Sequence, residues 1–229
     1  MNKKLMLLFV LALLLSPLWA GDTAVFVDLG FSADGKTYMF GQYGVNPATL
    51  RPWAELCVVN VSTNNFVPGG RINYVHDSPV ISGHDGSGAL FRVIGRNAVL
   101  ADRNNIGYLL QGYPLYVFID NGSGLENETI EFRDFEKADT FRAVLNASGY
   151  GSASGSSFFI GLEKRNRDGA VKMYSVGNAA IKRPGIASYR ISKVLAAPQT
   201  SSLVFVIEMK KLNADGSADI RYMIEALKL

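Results

Sequence analysis

Two histidines are present in the whole chain, and each precedes an aspartate, as His76-Asp77 and His84-Asp85. Ser78, Ser82 and Ser87 share the same stretch. A serine hydroxyl, an imidazole and a carboxylate in one hydrogen-bonded line make a hydrolase, provided an oxyanion hole lies nearby. The catalytic candidates are therefore His76, Asp77, His84, Asp85 and Ser87. The surrounding words argue against this chemistry: Gly86-Ser87-Gly88 is not the full Gly-x-Ser-x-Gly elbow, and Gly151-Ser152-Ala153-Ser154-Gly155 has alanine at the nucleophile position. Two imidazoles and two carboxylates also suffice in number for a zinc shell, but no recognisable ligand spacing supports one.

Asn213, Asp215 and Asp219 around Gly216 resemble part of a calcium loop, in which oxygens cluster about a sharp glycine turn. The distal glutamate of an EF-hand is missing, because Arg221 and Tyr222 stand where it is needed. The same residues suit a hairpin turn. Phosphate-binding loops, dinucleotide fingerprints and zinc fingers are absent, so no cofactor is expected. The single cysteine, Cys57, excludes an intramolecular disulfide and lies in a strand-like run, Trp53 to Val61, whose two alternating sets are both mostly apolar. A buried, inert thiol is the expectation.

The elements that must position these residues are strands. Short β-prone runs recur at Ala24 to Leu29, Lys36 to Tyr43, Ala54 to Val61, Pro114 to Ile119, Thr129 to Asp134 and Thr140 to Ala147. They continue at Ser157 to Glu163, Ala170 to Val176, Tyr189 to Leu195, Leu203 to Met209 and Asp219 to Ala226. Ala33-Asp34-Gly35, Arg167-Asp168-Gly169 and Ala214-Asp215-Gly216 supply turns. In the last strand Ile220, Tyr222, Ile224 and Ala226 alternate with Asp219, Arg221, Met223 and Glu225, which predicts a buried set and a wet set containing Arg221 and Glu225. Ser87 to Asn104 fits helical spacing, with Arg92, Arg96 and Arg103 as a basic stripe of the kind usually solvated. The run Ser148 to Ser157 reads as a long hairpin loop.

A fixed offset lays Leu29 to Phe40 on Val194 to Phe205, and a similar one lays Glu55 to Val59 on Asp219 to Met223. Each copy reads as a three-strand meander. The fold class is mainly β, with antiparallel meanders forming a propeller-like or two-sheet sandwich architecture and one helix near 87–104.

The first residues form a leader. Lys3 and Lys4 precede an unbroken apolar run from Leu5 to Leu15, followed by Ser16, Pro17 and Ala20, as in a secretory signal peptide. The run is shorter than the roughly 20 residues of a membrane span. Cleavage after Ala20 lowers the formal charge from +3 to about +1, which is a poor match for nucleic acid. Residues 21–229 then form a single β-rich domain, secreted or periplasmic, and 48% hydrophobic residues supply its core. Asn60, Asn127 and Asn146 stand in Asn-x-Ser/Thr triplets, which matter only in a glycosylating host.

Gly30-Phe31-Ser32-Ala33-Asp34-Gly35-Lys36-Thr37-Tyr38-Met39-Phe40 resembles the strand-turn-strand unit of TolB-like propeller blades. With Gln42 to Val45, Ala54 to Val61 and Asn65 to Gly69, it is similar to a family of predicted secreted bacterial proteins of unknown function. The resemblance extends through Ala89 to Ile106 and the strands at Tyr189 to Ile191 and Leu203 to Glu208. It implies export and a bacterial source, and transfers no catalytic residue. Two function classes follow. One is a non-catalytic envelope binding or scaffolding module whose partner is an envelope protein, glycan or small ligand; the other is an exported hydrolase using the His76 to Ser87 loop.

Overall fold

The apolar word Leu203-Val204-Phe205-Val206-Ile207 has no polar alternate, so a strand built on it must be covered on both faces. In the computed structural model, which describes residues 21–119, 129–152 and 154–229, that is its position. The leader expected at Met1 to Ala20 and the Asn127 triplet lie outside the described residues.

Among the described residues, twelve strands form three antiparallel sheets of four. The N-terminal sheet runs in sequence order through β1 (Val25–Phe31), β2 (Thr37–Val45), β3 (Pro52–Asn60) and β4 (Asn65–Val75). The outer sheet runs likewise through β6 (Thr129–Asp134), β7 (Asp139–Ser148), β8 (Ser157–Arg165) and β9 (Val171–Val176). Between them in space lies a central sheet, in which β12 (Ala218–Lys228), β11 (Ser202–Leu212) and β10 (Ile186–Ala196) form a meander and β5 (Tyr113–Val117) pairs with β10.

Both faces of the central sheet are core. Leu203, Phe205 and Ile207 pack with Phe158, Ile160 and Leu162 of the outer sheet. Val204 and Val206, with Ile224 and Ala226, pack with Tyr38, Phe40, Cys57 and Val59 of the N-terminal sheet. Burial pushes the Cys57 thiol well above its ordinary pKa, as the sequence anticipated for an inert cysteine. The far face of the N-terminal sheet, through Met39, Ala54, Leu56 and Val58, receives Leu90, Val93 and Ala101 from the helical segment. Among the described residues the architecture is sandwich-like with no closed barrel, the sandwich alternative of the two the sequence left open, built of three stacked sheets.

The internal echo has a structural meaning. The Ser32 N–H donates to the Thr37 carbonyl at 3.0 Å, and the Ala197 N–H donates to the Ser202 carbonyl at 3.0 Å, so the same hairpin closes at corresponding points of both copies. The two meanders face each other, with Phe31 and Tyr38 against Leu195 and Ala197. The helix expected over Ser87 to Asn104 is two helices, α1 (Ser87–Arg96) and α2 (Ala98–Arg103). They part at Asn97, whose side-chain amide donates to the Val93 carbonyl at 2.8 Å and so competes with the helical ladder.

Strand β4 was not anticipated. Pro68-Gly69-Gly70 reads as a turn, yet an edge strand tolerates both residue types, and the pairing with β3 shifts register there. In β12, Ile224 and Ala226 are buried as expected. Arg221 is only partly exposed and Glu225 is 5% exposed, a correction to the wet face assigned to them. The cause is tertiary: the central sheet has protein on both sides, so the second face of its edge strand is covered as well.

Candidate functional site

The histidine loop does not gather its residues around one point. His76 follows β4 directly, and its Nδ1 lies 2.9 Å from the Tyr74 hydroxyl, which also accepts from Arg92 Nη1 at 3.1 Å. The Ser87 hydroxyl donates to Asp85, whose other oxygen accepts the Ser87 N–H at 3.1 Å, a local turn just ahead of α1, whose N-cap Gly86 carries no side-chain cap. His84, Asp85 and Asp77 are exposed. Among the described residues, no hydrogen bond or ion pair joins either histidine to Ser87 or to an aspartate. Arg92 and Arg96 both lie against Tyr74, Arg96 over its ring, while Arg103 belongs to α2.

Asn213, Asp215 and Asp219 form the β11–β12 hairpin. Asp215 Oδ1 accepts the Ser217 N–H at 2.9 Å and its hydroxyl at 2.6 Å, while Asn213 Nδ2 donates to Asp219 Oδ1 at 2.9 Å. Gly216 supplies the turn's positive φ of 83°. Among the described residues, no group of three or more His, Cys, Asp or Glu side chains is placed to hold a metal ion.

A larger cleft lies elsewhere. The free edge of β12 is the floor of a cleft of about 1150 Å³ between the two flanking sheets. One wall comes from β3, β4 and the turn joining them, including Glu55, Asn64, Phe66, Arg71 and Asn73. The other comes from the end of β9 and the segment that follows it, including Ser175, Asn178, Ile181 and Arg183, with Met209 and Met223 beside them.

Three different pieces of chain cover the backbone of the floor. At Ile220, the N–H donates to the Asp22 carbonyl at 2.9 Å and the carbonyl accepts from the Ala24 N–H at 3.1 Å. At Tyr222, Gln42 imitates a peptide unit: its Oε1 accepts the Tyr222 N–H at 2.8 Å and its Nε2 donates to the Tyr222 carbonyl at 2.9 Å. At Ala226, the N–H donates to Asn64 Oδ1 at 2.7 Å. Uncovered edges invite other strands, so these caps guard the sheet.

The same caps organise charge. Gln42 Nε2 also donates to Glu55 Oε2 at 2.6 Å, and Arg71 Nε holds Glu55 Oε1 at 2.5 Å. This contact with Glu55 raises the pKa of Arg71. Asn64 donates to Glu225, and Arg183 Nη2 stands 3.7 Å from the same carboxylate. Burial raises the pKa of Glu225, against the opposing pull of Asn64 and Arg183. At the rim, Asp22 accepts from Trp53 Nε1 and pairs with Arg221, which stacks on the Trp53 ring at 4.3 Å. Gly44 makes room for this cluster, because a Cβ there would stand 2.6 Å from Asp22 Oδ1.

These residues were not among the sequence candidates. The available signal was polarity out of place: Gln42 and Glu55 interrupt apolar strands and stand directly opposite each other in the β2–β3 register. Buried carboxylates and amides in a strand need partners: those of Glu55, which are Gln42 and Arg71, stand on the neighbouring strands, while Tyr222, which Gln42 covers, comes from far along the chain.

The chain matches the family described as predicted secreted protein (DUF2259) over residues 39–228. No curated protein matches. No solved structure matches. Among the described residues, no helix is long and apolar enough to cross a membrane.

Proposed function

The chain belongs to this family of predicted secreted proteins, and from that premise we propose that it is an exported, non-catalytic binding module whose ligand enters the cleft over β12. The observation that carries the reading is the polar network of Gln42, Glu55, Asn64, Arg71, Arg183 and Glu225 in the walls and floor of one large cleft. Buried charges are a poor device for stability, because apolar residues of similar volume often do as well or better. Placed around a concave surface, they supply specificity instead. Phe66 and Ile181, 48% and 50% exposed on opposite walls, offer apolar contact beside these polar groups.

Export starts from Met1 to Ala20 as a cleaved leader, and the mature chain begins near Gly21. N-terminal sequencing of exported protein is expected to read Gly21-Asp22-Thr23, whereas retention of the first residues in a detergent-soluble form overturns it. The blade-like reading of Gly30 to Phe40 is compatible with the β1–β2 hairpin it occupies.

Binding is tested with a photo-cross-linking amino acid at Phe66 or Ile181 in the cleft, and at Phe159 on the open face of the outer sheet as control. Cross-links in cells expressing the full chain are expected at the first two positions and not at the third. Equal cross-linking at all three, or none at Phe66 and Ile181, removes the cleft as the binding site.

A further inference from the structure

We propose that the free edge of β4 takes up an extended segment of another polypeptide as an added antiparallel strand over Arg71 to Val75, with an acidic residue of that segment beside Tyr74. The site lies on the outside of the sheet, away from the floor of the cleft, and does not depend on the cleft ligand. Its hydrogen-bond phase follows from the ends of the strands. The His76 N–H donates to the Pro52 carbonyl at 2.8 Å, and in the same register Tyr74 faces Ala54 and Ile72 faces Leu56. These alternate pairs exchange the bonds between β3 and β4, so Arg71, Asn73 and Val75 turn both N–H and C=O away from β3. The Val61 N–H, bonded to the Lys36 carbonyl at 2.8 Å, gives the same phase from the other side, because it assigns the odd-numbered residues of β3 to β2. All three outward residues are exposed, and among the described residues no group reaches their N–H or C=O.

Other edges of the molecule are guarded. Asp22, Ala24, Gln42 and Asn64 cap β12, and Gly107, Leu110 and Gln111 meet β1. In β4 the guarding devices stop early: Pro68 has no N–H, and the register shift lies between Phe66 and Arg71, which leaves the half from Arg71 to Val75 open. An antiparallel strand is the complement of such an edge, since the partner residue opposite each outward residue exchanges two N–H···O=C bonds with it. Successive side chains of that strand face opposite sides. Those opposite Arg71, Asn73 and Val75 lie on the cleft side, where Glu55 already matches the charge of Arg71. Those opposite Ile72 and Tyr74 lie on the side of α1, beside the apolar layer under the helix. There Arg92 Nη1 donates to the Tyr74 hydroxyl at 3.1 Å and Arg96 lies over the Tyr74 ring; among the described residues neither arginine is paired with a carboxylate. An acidic side chain opposite Tyr74 supplies what these two cations lack. The same arginines oppose a second copy. Two β4 strands paired about Asn73, the register that bonds all three outward residues, set their Tyr74 side chains on a diagonal roughly 7–8 Å apart and bring like charges together.

The test uses the mature full chain and a fluorescent, end-blocked pentapeptide with glutamate opposite Tyr74, valine opposite Ile72 and threonine at the remaining positions, read by anisotropy. Saturable binding with a Kd below about 1 mM is expected. Methylating the nitrogen of the central threonine, which meets Asn73, should weaken it roughly tenfold or more, whereas methylating the nitrogen of the glutamate or the valine, which points away from β4, should change it less than about twofold. Asn73→Pro removes an outward N–H without touching a β3–β4 bond, and should weaken binding by the same factor at an unchanged thermal midpoint. The methylated peptides read the same bonds on the unaltered protein. Glutamine in place of glutamate should weaken binding about threefold or more in the parent, and not in the double variant Arg92→Ala, Arg96→Ala. Ile181→Glu, on the far wall of the cleft, should leave binding unchanged. No binding of the glutamate peptide, equal effects of methylation at all positions, or indifference of the parent to glutamine overturns the proposal. Loss of binding in Ile181→Glu places the peptide in the cleft, which overturns the edge site and leaves the cleft reading standing. Self-association that Asn73→Pro abolishes makes a second copy the occupant and overturns it as well.

Discussion

Arg221 Nη2 lies 2.8 Å from Asp22 Oδ2 across 199 residues of sequence, and Arg221 Nη1 lies 3.0 Å from the Asp22 carbonyl oxygen. The segment after Gly21 is thereby tied to the last strand of the central sheet. Asp219 strengthens the tie by accepting the Asp22 N–H at 2.9 Å. Burial raises the pKa of Asp22 despite the charge of Arg221 and the hydrogen bond from Trp53, so covering the ionised carboxylate costs more than its partners return. Asp22→Ala is expected to cost about 1–3 kcal/mol, because it strands the Trp53 N–H and takes one carboxylate from the mostly covered Arg221, which keeps Asp219. Asp22→Asn keeps an acceptor and should cost less than about 1 kcal/mol. Urea unfolding of both variants checks the order, and equal losses would show that charge is what matters.

Glu225 sets a pH dependence. Its folded pKa is raised above the ordinary 4.5, so the native state holds its proton more tightly than the unfolded chain does. Its contribution to stability is therefore greatest below 4.5 and declines as pH rises through the raised folded value. Glu225→Gln retains the acceptor for Asn64 and removes the charge. The stability of the variant relative to the parent should rise between pH 4 and pH 7, measured by urea midpoints at each. A difference that stays constant or falls with pH contradicts the assignment.

Gln42→Leu removes both the donor and the acceptor that cover Tyr222, together with one partner of Glu55. Stranding buried polar groups costs about 1–3 kcal/mol for each group, so a loss of at least about 2 kcal/mol is expected. The uncovered edge also becomes free to pair with another chain. Size-exclusion chromatography at rising concentration should show association that the parent lacks. A monomeric variant of unchanged thermal midpoint would mean that water replaces the cap without penalty.

Truncation after Gly216 deletes β12 from the middle layer. It removes Ile224 and Ala226 from one interface and the half-buried Met223 and Leu227 from the other. By analogy with large-to-small core substitutions, the loss is several times the roughly 2–5 kcal/mol of a single Leu→Ala change, more than a marginal domain retains. No cooperative thermal transition is expected. A monomer with the parental midpoint would make β12 a dispensable tail.

What the sequence alone determined was what depends on chain neighbours. The two-sided apolar word at Leu203 to Ile207, the Asp-Gly hairpin before β12 and the alternation of Ile224 and Ala226 are properties of adjacent residues, and each reappears in place. The helical segment was legible for the same reason, though not its break at Asn97, where a side-chain amide shares the Val93 carbonyl with the backbone N–H. Strand β4 was hidden because Pro68, Gly69 and Gly70 break local β-propensity, while edge pairing to β3 supplies what propensity lacks. Glu225 alternates as a surface residue should, and only the third sheet and the segment around Arg183 make it a buried one. The cleft is the extreme case. Its polar groups come from Gln42, Glu55, Asn64, Arg71, Arg183 and Glu225, which the stacking of three separate sheets brings together. Period-two patterning says which side of a strand is apolar, but not which sheet will cover it, because that is decided by packing between residues more than a hundred positions apart.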